Sequence, residues 1–203
     1  KENTRTLNKK FLSGEKLSWL TCYDYSFAKI IDSTDIDMIL VGDSGGMVTL
    51  GYKDTSPVTM DEMIMLSSAV RRGAPNKFIV GDMPKGSYEV SDEEAVRNAM
   101  RFIKESGCDA VKLEGFNEKI LSRVKSIVDS GIVVIGHIGL TPQSLAQQGG
   151  YRVVGRDKKE ILSLQDGVES LINSGVFSIL LEALPPDLAQ KISEKSGVII
   201  FGI

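Results

Sequence analysis

Five short apolar runs in the chain each end on an ionisable residue. The runs are M-I-L-V-G-D, K-F-I-V-G-D, A-V-K-L-E, V-V-I-G-H and S-I-L-L-E, and they end at Asp43, Asp82, Glu114, His137 and Glu182. Runs of this length without polar–apolar alternation are typical of strands covered on both faces, as in a parallel sheet. An unpaired acid is costly to bury, so each is expected at the carboxyl end of its strand, where a cation or ligand can reach it. The pattern predicts that five ionisable groups meet at one edge of a parallel sheet.

Helical segments alternate with the predicted strands along the chain. Strands are predicted at 18–22, 38–42, 77–81, 110–114, 132–136, 177–182 and 198–201. Helices are predicted at 25–33, 60–72, 92–106, 118–130, 159–174 and 185–195, with long loops at 43–57 and 139–157. Each return to the same edge of a sheet needs a crossover, so this α/β alternation predicts a parallel sheet.

Two architectures fit this alternation: an open doubly wound sheet and a closed (β/α)8 TIM barrel. A doubly wound sheet usually carries a glycine-rich phosphate loop after an early strand, and the sequence has neither G-x-G-x-x-G nor G-x-x-x-x-G-K-[ST]. In a closed ring, all carboxyl ends of the strands face one site, which favours the barrel. A complete barrel takes about 250 residues. Residues 1–203 are therefore expected to form a single barrel domain that lacks its carboxyl-terminal units.

Charge and composition exclude several classes of function. The formal net charge is −3 and the basic residues are scattered, so no attraction to nucleic acid or to an acidic membrane is expected. No apolar stretch approaches the roughly 18 residues of a membrane helix, and the polar start lacks the apolar core of a signal peptide. Cys22 and Cys108 both adjoin predicted strands and are interpreted as buried thiols of a reducing compartment. A cytoplasmic protein is expected.

Lys112 and Glu114 stand two positions apart in the fourth predicted strand. Side chains alternate across a strand, so these two point one way and Val111 and Leu113 point the other. In a barrel, the apolar pair would pack against helices and the charged pair would face the lumen. The alternative is a buried ion pair with no role beyond structure.

Asp43, Asp82 and Glu114 follow three successive strands, which are neighbours in a barrel. Three carboxylates that converge at low dielectric repel one another strongly unless a cation is present. Oxygen ligands with open positions suit Mg²⁺, which keeps waters or substrate oxygens in its shell. The alternative is that each acid only caps a helix or pairs with a nearby lysine.

Glu182 and His137 complete the set of candidate residues. A carboxylate across the mouth from a metal can act as a general base if an apolar setting, such as the leucines of L-L-E-A-L, raises its pKa. His137 is the sole histidine, and its position at a strand end suits a hydrogen-bonding wall residue as well as a catalyst. His137 and Lys112 could both hold an anionic substrate.

The stretch G-D-S-G-G at 42–46 matches the nucleophile motif of chymotrypsin-like serine proteases. Those enzymes are β-barrels in which the catalytic His precedes the Ser. Here the histidine follows Ser44 and the pattern is α/β throughout, so the motif lacks its structural context and a protease is not predicted.

Several short stretches, taken together, are more specific than any single motif. They are T-C-Y-D-Y-S-F-A from position 21, V-G-D-S-G-G-M from 41, S-P-V-T-M from 56, A-V-R-R-G-A-P from 69, G-D-M-P from 81, V-K-L-E-G from 111, G-H-I-G-L-T-P-Q from 136, G-G-Y-R-V-V-G-R from 149 and L-L-E-A-L-P from 180. In this order and combination they resemble the ketopantoate hydroxymethyltransferase (3-methyl-2-oxobutanoate hydroxymethyltransferase) family across nearly the whole chain.

The resemblance implies a TIM barrel that transfers a hydroxymethyl group from 5,10-methylenetetrahydrofolate to 3-methyl-2-oxobutanoate. The product would be ketopantoate (2-dehydropantoate), a precursor of pantothenate and coenzyme A, formed through a Mg²⁺-stabilised enolate. Carried over to this sequence, Mg²⁺ would be held by Asp43, Asp82 and Glu114, and Glu182 would be the general base. Substrate contacts would come from Asp43, Ser44, Asp82 and Lys112. The resemblance also implies a homodecamer.

The sequence departs from the family pattern at Gly45, where leucine is expected after V-G-D-S, and this change is expected to loosen the loop. The chain also ends where the family continues with a glycine-rich stretch and further barrel units. Two other functions remain compatible with the residues: another Mg²⁺-dependent lyase or aldolase of 2-oxo acids, and a non-catalytic barrel that binds a keto acid.

Overall fold

A single parallel sheet forms the centre of the molecule. The computed structural model describes residues 1–144 and 149–203. Within these residues, seven strands follow one another in the order β1 to β7, and every neighbouring pair is parallel. Their bounds are β1 Trp19–Thr21, β2 Met38–Val41, β3 Phe78–Asp82, β4 Ala110–Glu114, β5 Val133–Gly139, β6 Ser178–Glu182 and β7 Ile199–Gly202. All seven predicted strands are confirmed, and the largest difference is at β5, which continues to Gly139.

Helices connect the strands and cover the outer face of the sheet. They are α1 Thr4–Leu12, α2 Tyr25–Asp32, α3 Gly45–Val48, α4 Met60–Gly73, α5 Asp92–Arg101, α6 Glu118–Asp129, α7 Lys158–Asn173 and α8 Pro186–Lys195. A π-helical turn, Phe102–Ser106, extends α5, and Pro142–Ser144 forms a short 3₁₀ turn. The predicted caps Thr59, Ser91 and Asn117 each accept a hydrogen bond from a backbone N–H three residues ahead. The predicted loop at 139–157 includes residues 145–148, which lie outside the described residues.

Helix α1 was not predicted, because its sequence is polar except for Leu7, Phe11 and Leu12. Asn3 begins it, and the Asn3 side chain accepts hydrogen bonds from the backbone N–H groups of Arg5 and Thr6. Leu7 is fully buried among side chains from the amino-terminal halves of the strands. Helix α1 therefore covers the end of the sheet opposite to Asp43, Asp82 and Glu114.

The sheet separates two apolar layers. Every second strand residue packs in an inner layer, the lumen, whose buried members are Leu7, Met38, Phe78, Val80, Ala110, Ile135, Leu180, Ile199 and Phe201. The intervening residues, such as Val111 and Leu113, pack in a larger outer layer beneath the helices. The rings of Trp19 on β1 and Phe201 on β7 meet edge to face, with centroids 4.9 Å apart. The sheet thus curls into a nearly closed TIM barrel, as predicted.

Two glycines on the outer face allow helices to contact the backbone of the strands. A Cβ atom on Gly81 would lie 2.3 Å from Cδ1 of Phe102, and one on Gly136 would lie 2.9 Å from Cδ1 of Leu171. Both glycines immediately precede a site candidate, Asp82 or His137. The helical layer is therefore packed directly behind the strand ends that carry these two side chains.

In the part of the chain that the structure describes, every helix is too short or too polar to span a bilayer. Cys22 and Cys108 are both buried free thiols, as predicted.

Candidate active site

The predicted ionisable residues lie together at the carboxyl ends of the strands, here called the mouth. Each of these residues on β3 to β6 lies two or four positions after a residue that faces the lumen. Side chains alternate across a strand, so these side chains also point inward. They are Asp82 after Val80, Lys112 and Glu114 after Ala110, His137 after Ile135, and Glu182 after Leu180. Asp43 lies just beyond β2, at the start of the short connection to α3. The inward direction of Lys112 and Glu114 is confirmed.

Lys112 occupies the centre of the cluster. Its Nζ lies 2.8 Å from Oδ1 of Asp82, 3.5 Å from Oε1 of Glu114 and 3.2 Å from Nδ1 of His137. The side chains of Lys112, Asp82 and Glu114 are only 2–3% exposed. A buried ammonium with two carboxylates and an imidazole around it is held in one position.

Burial and charge act in opposite directions on the pKa values of these groups. Burial alone lowers the pKa of Lys112, but the charges of Asp82, Glu114 and Asp43 outweigh it and raise that pKa. Burial raises the pKa of Asp82 despite the nearby Lys112. For Glu114, the charges of Lys112 and His137 overcome burial, and its pKa is lowered. Lys112 is therefore charged, and Asp82 and Glu114 share it as an ion-pair partner.

Asp43 is a buried carboxylate that lies next to Asp82. Burial, and then the charge of Asp82, raise the pKa of Asp43 from its usual 3.8 to about 7. Its backbone N–H donates a hydrogen bond to Oδ2 of Asp82 at 3.1 Å, and its own Oδ2 accepts one from Nε2 of Gln143 at 3.0 Å. Asp43 and Asp82 are thus direct neighbours.

His137 lies between two glutamates. Its Nδ1 is 3.3 Å from Oε1 of Glu114, and its Nε2 is 3.1 Å from Oε2 of Glu182. Burial and Lys112 lower the pKa of His137, but the contacts with Glu114 and Glu182 outweigh them and raise it. The side chain of Glu182 is 24% exposed, which places it at the rim of the mouth. His137 therefore connects the buried cluster to the more accessible Glu182.

The backbone around Glu182 is tightly constrained. Its carbonyl accepts a hydrogen bond from the N–H of Leu140, and the following residue, Ala183, has a φ of 52°, which is uncommon for a residue with a side chain. Of the three leucines predicted to surround Glu182, Leu180 faces the lumen, whereas Leu181 and Leu184 pack in the outer layer.

Ser44 begins α3 immediately after Asp43, and its Oγ lies 2.8 Å from Oη of Tyr23. The segment that glycine at position 45 was expected to loosen forms the short helix α3. A Cβ atom on Gly45 would lie 2.9 Å from both Cδ1 of Leu66 and Cδ1 of Tyr23. Gly45 therefore allows α3 to pack closely against α4 and Tyr23.

Three polar residues of the mouth were missed by the sequence analysis: Tyr23, Tyr88 and Gln143. Tyr23 contacts Ser44, and Tyr88 and Gln143 are buried next to Glu114 and Asp43. The sequence feature that could have identified them is that each follows the carboxyl end of a predicted strand, where the site was expected.

The carboxylate oxygens of the mouth are of a type that can bind a divalent cation. Asp43, Asp82 and Glu114 offer oxygen ligands of the type that Mg²⁺ prefers. Among the described residues, Oδ1 of Asp82 is buried and has no hydrogen-bond partner besides its ion pair with Lys112. As the side chains stand, no three acidic, imidazole or thiol groups in residues 1–144 and 149–203 are placed to hold a metal. The ligand types fit Mg²⁺.

Solved structures of similar fold come from enzymes of other activities. A 2,3-dimethylmalate lyase of the PEP mutase/isocitrate lyase superfamily superposes with a TM-score of 0.74 at 16% identity, covering 98% of this chain and 70% of the lyase. A phosphonopyruvate hydrolase solved with oxalate and Mg²⁺ gives a TM-score of 0.69 at 12% identity, covering 100% of this chain and 80% of the hydrolase. These similarities establish the TIM-barrel fold.

Sequence relatives are much closer. The 3-methyl-2-oxobutanoate hydroxymethyltransferase of Alkaliphilus metalliredigens is 47% identical, with 100% of this chain and 72% of that enzyme covered. The enzyme of the same name from Ignicoccus hospitalis is 50% identical, covering 98% of this chain and 74% of the enzyme. The family model for ketopantoate hydroxymethyltransferase matches residues 1–203. The chain therefore belongs to the ketopantoate hydroxymethyltransferase family of transferases.

Proposed function

We propose that this protein transfers a hydroxymethyl group from 5,10-methylenetetrahydrofolate to 3-methyl-2-oxobutanoate and so forms 2-dehydropantoate (ketopantoate) for pantothenate synthesis. The observation that carries the proposal is the juxtaposition of Glu182 with the cluster of Asp43, Asp82, Lys112 and Glu114 at one mouth. The reaction needs a base beside a site that stabilises a developing negative charge, and this arrangement provides both. The names of the relatives support the choice of substrate.

We assign Mg²⁺ to Asp43, Asp82 and Glu114. Their shared burial and the raised pKa values of Asp43 and Asp82 support this assignment, because a bound cation would relieve the repulsion. When bound, Mg²⁺ would supply a Lewis acid at the keto acid. The phosphonopyruvate hydrolase of similar fold was solved with oxalate and Mg²⁺, and oxalate has two adjacent oxygen-bearing carbons, as a 2-oxo acid does.

Glu182, Lys112 and the other residues of the mouth would then have different roles in the reaction. Glu182, at the rim, would remove the proton from C3 of the keto acid. Lys112 would stabilise the negative charge that moves onto the substrate oxygens, because it is a fixed cation that needs no reorganisation. Water would open the methylene bridge of the folate to a hydroxymethyl group, which supplies the hydroxyl oxygen of the product. The enolate carbon would then form the new C–C bond to that carbon as its remaining C–N bond breaks, and tetrahydrofolate would leave with a proton on the released nitrogen. Ser44, Asp43 and Asp82 would contact the keto acid.

His137 is assigned a second task besides substrate contact. Its Nε2 lies 3.1 Å from Oε2 of Glu182, so it would orient the base toward the substrate. Cytoplasmic location and assembly into a homodecamer remain predictions for this protein.

The affinity for Mg²⁺ is expected to depend on pH through Asp43. Its pKa of about 7 means that the carboxyl is protonated below that pH, and a cation must displace the proton. The dissociation constant for Mg²⁺ should fall by about ten-fold per pH unit as pH rises from 5 to 7, and then level off. Because the raised pKa stabilises the protonated folded state, this group should also lower the free energy of unfolding of the metal-free protein over the same rise. Calorimetric Mg²⁺ titrations between pH 5.5 and 8 check the first effect, and a constant affinity would contradict it.

Exchange of the C3 proton of 3-methyl-2-oxobutanoate in deuterated water, followed by NMR, tests the proposed function. Exchange that requires Mg²⁺ and not folate is expected, and ketopantoate should form once methylenetetrahydrofolate is added. Exchange without product on addition of the folate would favour a lyase or aldolase. If folded protein that binds the keto acid causes no exchange, a non-catalytic binding barrel is favoured instead.

A further inference from the structure

Gln143 uses three of its hydrogen-bonding groups inside the mouth. Its Nε2 donates to Oδ2 of Asp43 at 3.0 Å and to the carbonyl oxygen of Met83 at 2.9 Å. Its backbone N–H donates to Oε2 of Glu114 at 3.1 Å, and its Oε1 accepts from Oη of Tyr88 at 2.6 Å. The residue is only 4% exposed. One residue thus binds two of the three carboxylates to which we assign Mg²⁺.

The orientation of the Gln143 amide is determined by its partners. The carbonyl oxygen of Met83 only accepts hydrogen bonds, so the NH₂ group must face Met83, and its second N–H then points to Asp43. The Oε1 atom then faces Tyr88, whose hydroxyl donates to it. The Tyr88 hydroxyl also accepts a longer hydrogen bond, 3.4 Å, from the backbone N–H of Glu114. A flipped amide would place its oxygen against the carbonyl oxygen of Met83.

These contacts engage one oxygen of each carboxylate. Gln143 holds Oδ2 of Asp43 and Oε2 of Glu114, whereas Oε1 of Glu114 faces Lys112 and His137. A carboxylate that is fixed by a donor on one oxygen presents the other in a defined direction, which is how the partners of metal ligands tune a site. Since Asp43 and Asp82 repel each other and Glu114, a neutral donor between Asp43 and Glu114 also reduces that repulsion.

We propose that Gln143 is a positioning residue that orients Asp43 and Glu114 for a divalent cation, and that the buried hydroxyl of Tyr88 fixes its amide. The inference rests on the proposed function, since it deepens the assignment of Mg²⁺ to those carboxylates. It extends the site to the turn after β5, through Gln143. The competing explanation is that Gln143 only attaches this turn to the barrel.

Calorimetric titration with Mg²⁺ alone, without substrates, tests the proposal on Gln143→Met. Methionine keeps the shape of the side chain and removes its donor and acceptor, while the backbone contact with Glu114 remains. The dissociation constant is expected to rise by about 10- to 100-fold, the range found when a partner of a metal ligand is lost. Turnover should recover substantially at saturating Mg²⁺, which a purely structural defect would not allow. Gln190→Met, the same change at an exposed residue of α8, is the matched control.

Tyr88→Phe gives an independent test if the first variant does not fold. It keeps the buried ring and removes the hydroxyl, so the dissociation constant for Mg²⁺ should rise by about 2- to 10-fold. Tyr151→Phe, at a residue that is 68% exposed, is its control. A wild-type dissociation constant for Mg²⁺ in both variants would overturn the positioning role and leave the proposed function intact. If Gln143→Met does not fold, a wild-type dissociation constant in Tyr88→Phe alone would do the same. Failure of the wild-type protein itself to bind Mg²⁺ would overturn the metal assignment and this inference together.

Discussion

Replacing Glu182 with glutamine is expected to slow exchange of the C3 proton, and turnover with it, by about 10²- to 10⁴-fold. Glutamine has nearly the same shape and can still contact Nε2 of His137, which lies 3.1 Å from the glutamate oxygen. The amide cannot accept the proton as a carboxylate does. Binding of Mg²⁺ and of the keto acid should change by less than about three-fold, because Glu182 lies at the rim, outside the cluster of Asp43, Asp82 and Glu114.

NMR exchange rates and calorimetric binding on the same preparation separate these two effects. Glu169→Gln, at an exposed position of α7, is the matched control and should retain the wild-type rate. Exchange at the wild-type rate in Glu182→Gln would remove Glu182 from the mechanism. An equal loss of exchange and of keto-acid binding would make Glu182 a binding residue.

Replacing Lys112 with methionine is expected to destabilise the metal-free protein by about 3–5 kcal/mol, the cost of breaking a buried ion pair by removing one partner. Methionine fills most of the space but leaves Asp82 and Glu114 buried without the ammonium group that they share, which lies 2.8 Å from Asp82 and 3.5 Å from Glu114. Loss of this cation raises the pKa of both carboxyl groups in the folded state. The destabilisation should therefore be larger at pH 8 than at pH 5, where the carboxyls can take up protons.

Urea unfolding with and without Mg²⁺ distinguishes this electrostatic explanation from a packing defect. If the carboxylates lack a cation, Mg²⁺ should restore part of the stability of Lys112→Met, although turnover should stay low because the fixed charge is gone. Lys104→Met, at an exposed residue in the turn after α5, should unfold as the wild type does. Equal stability of Lys112→Met and wild type at pH 8 would contradict the account of the buried cluster.

The part of the site that lies on strands could be predicted from the sequence. The spacing of Lys112 and Glu114 placed them on one face, and the positions of Asp82, His137 and Glu182 at strand ends placed them at one mouth. This works because a strand alternates strictly and because all carboxyl ends of a parallel barrel point the same way.

The contributions of the loops could not be predicted. Tyr88 and Gln143 follow different strands and are 55 positions apart, yet they share a hydrogen bond. No periodic pattern specifies the path of a loop, so nothing in the sequence joins these two residues. Helix α1 was missed for another reason: six of its nine residues are polar, and its apolar stripe on the inner layer consists of only Leu7 and Phe11.

Because two glycines face outward, the packing of the helices affects the positions of the site residues. Gly81 and Gly136 face away from the lumen, yet a methyl group on either would collide with Phe102 or Leu171. The strand would have to move inward or the helix outward, and the adjacent Asp82 or His137 would move with the strand. Natural variation at these two glycines should therefore inactivate the enzyme as an active-site change does.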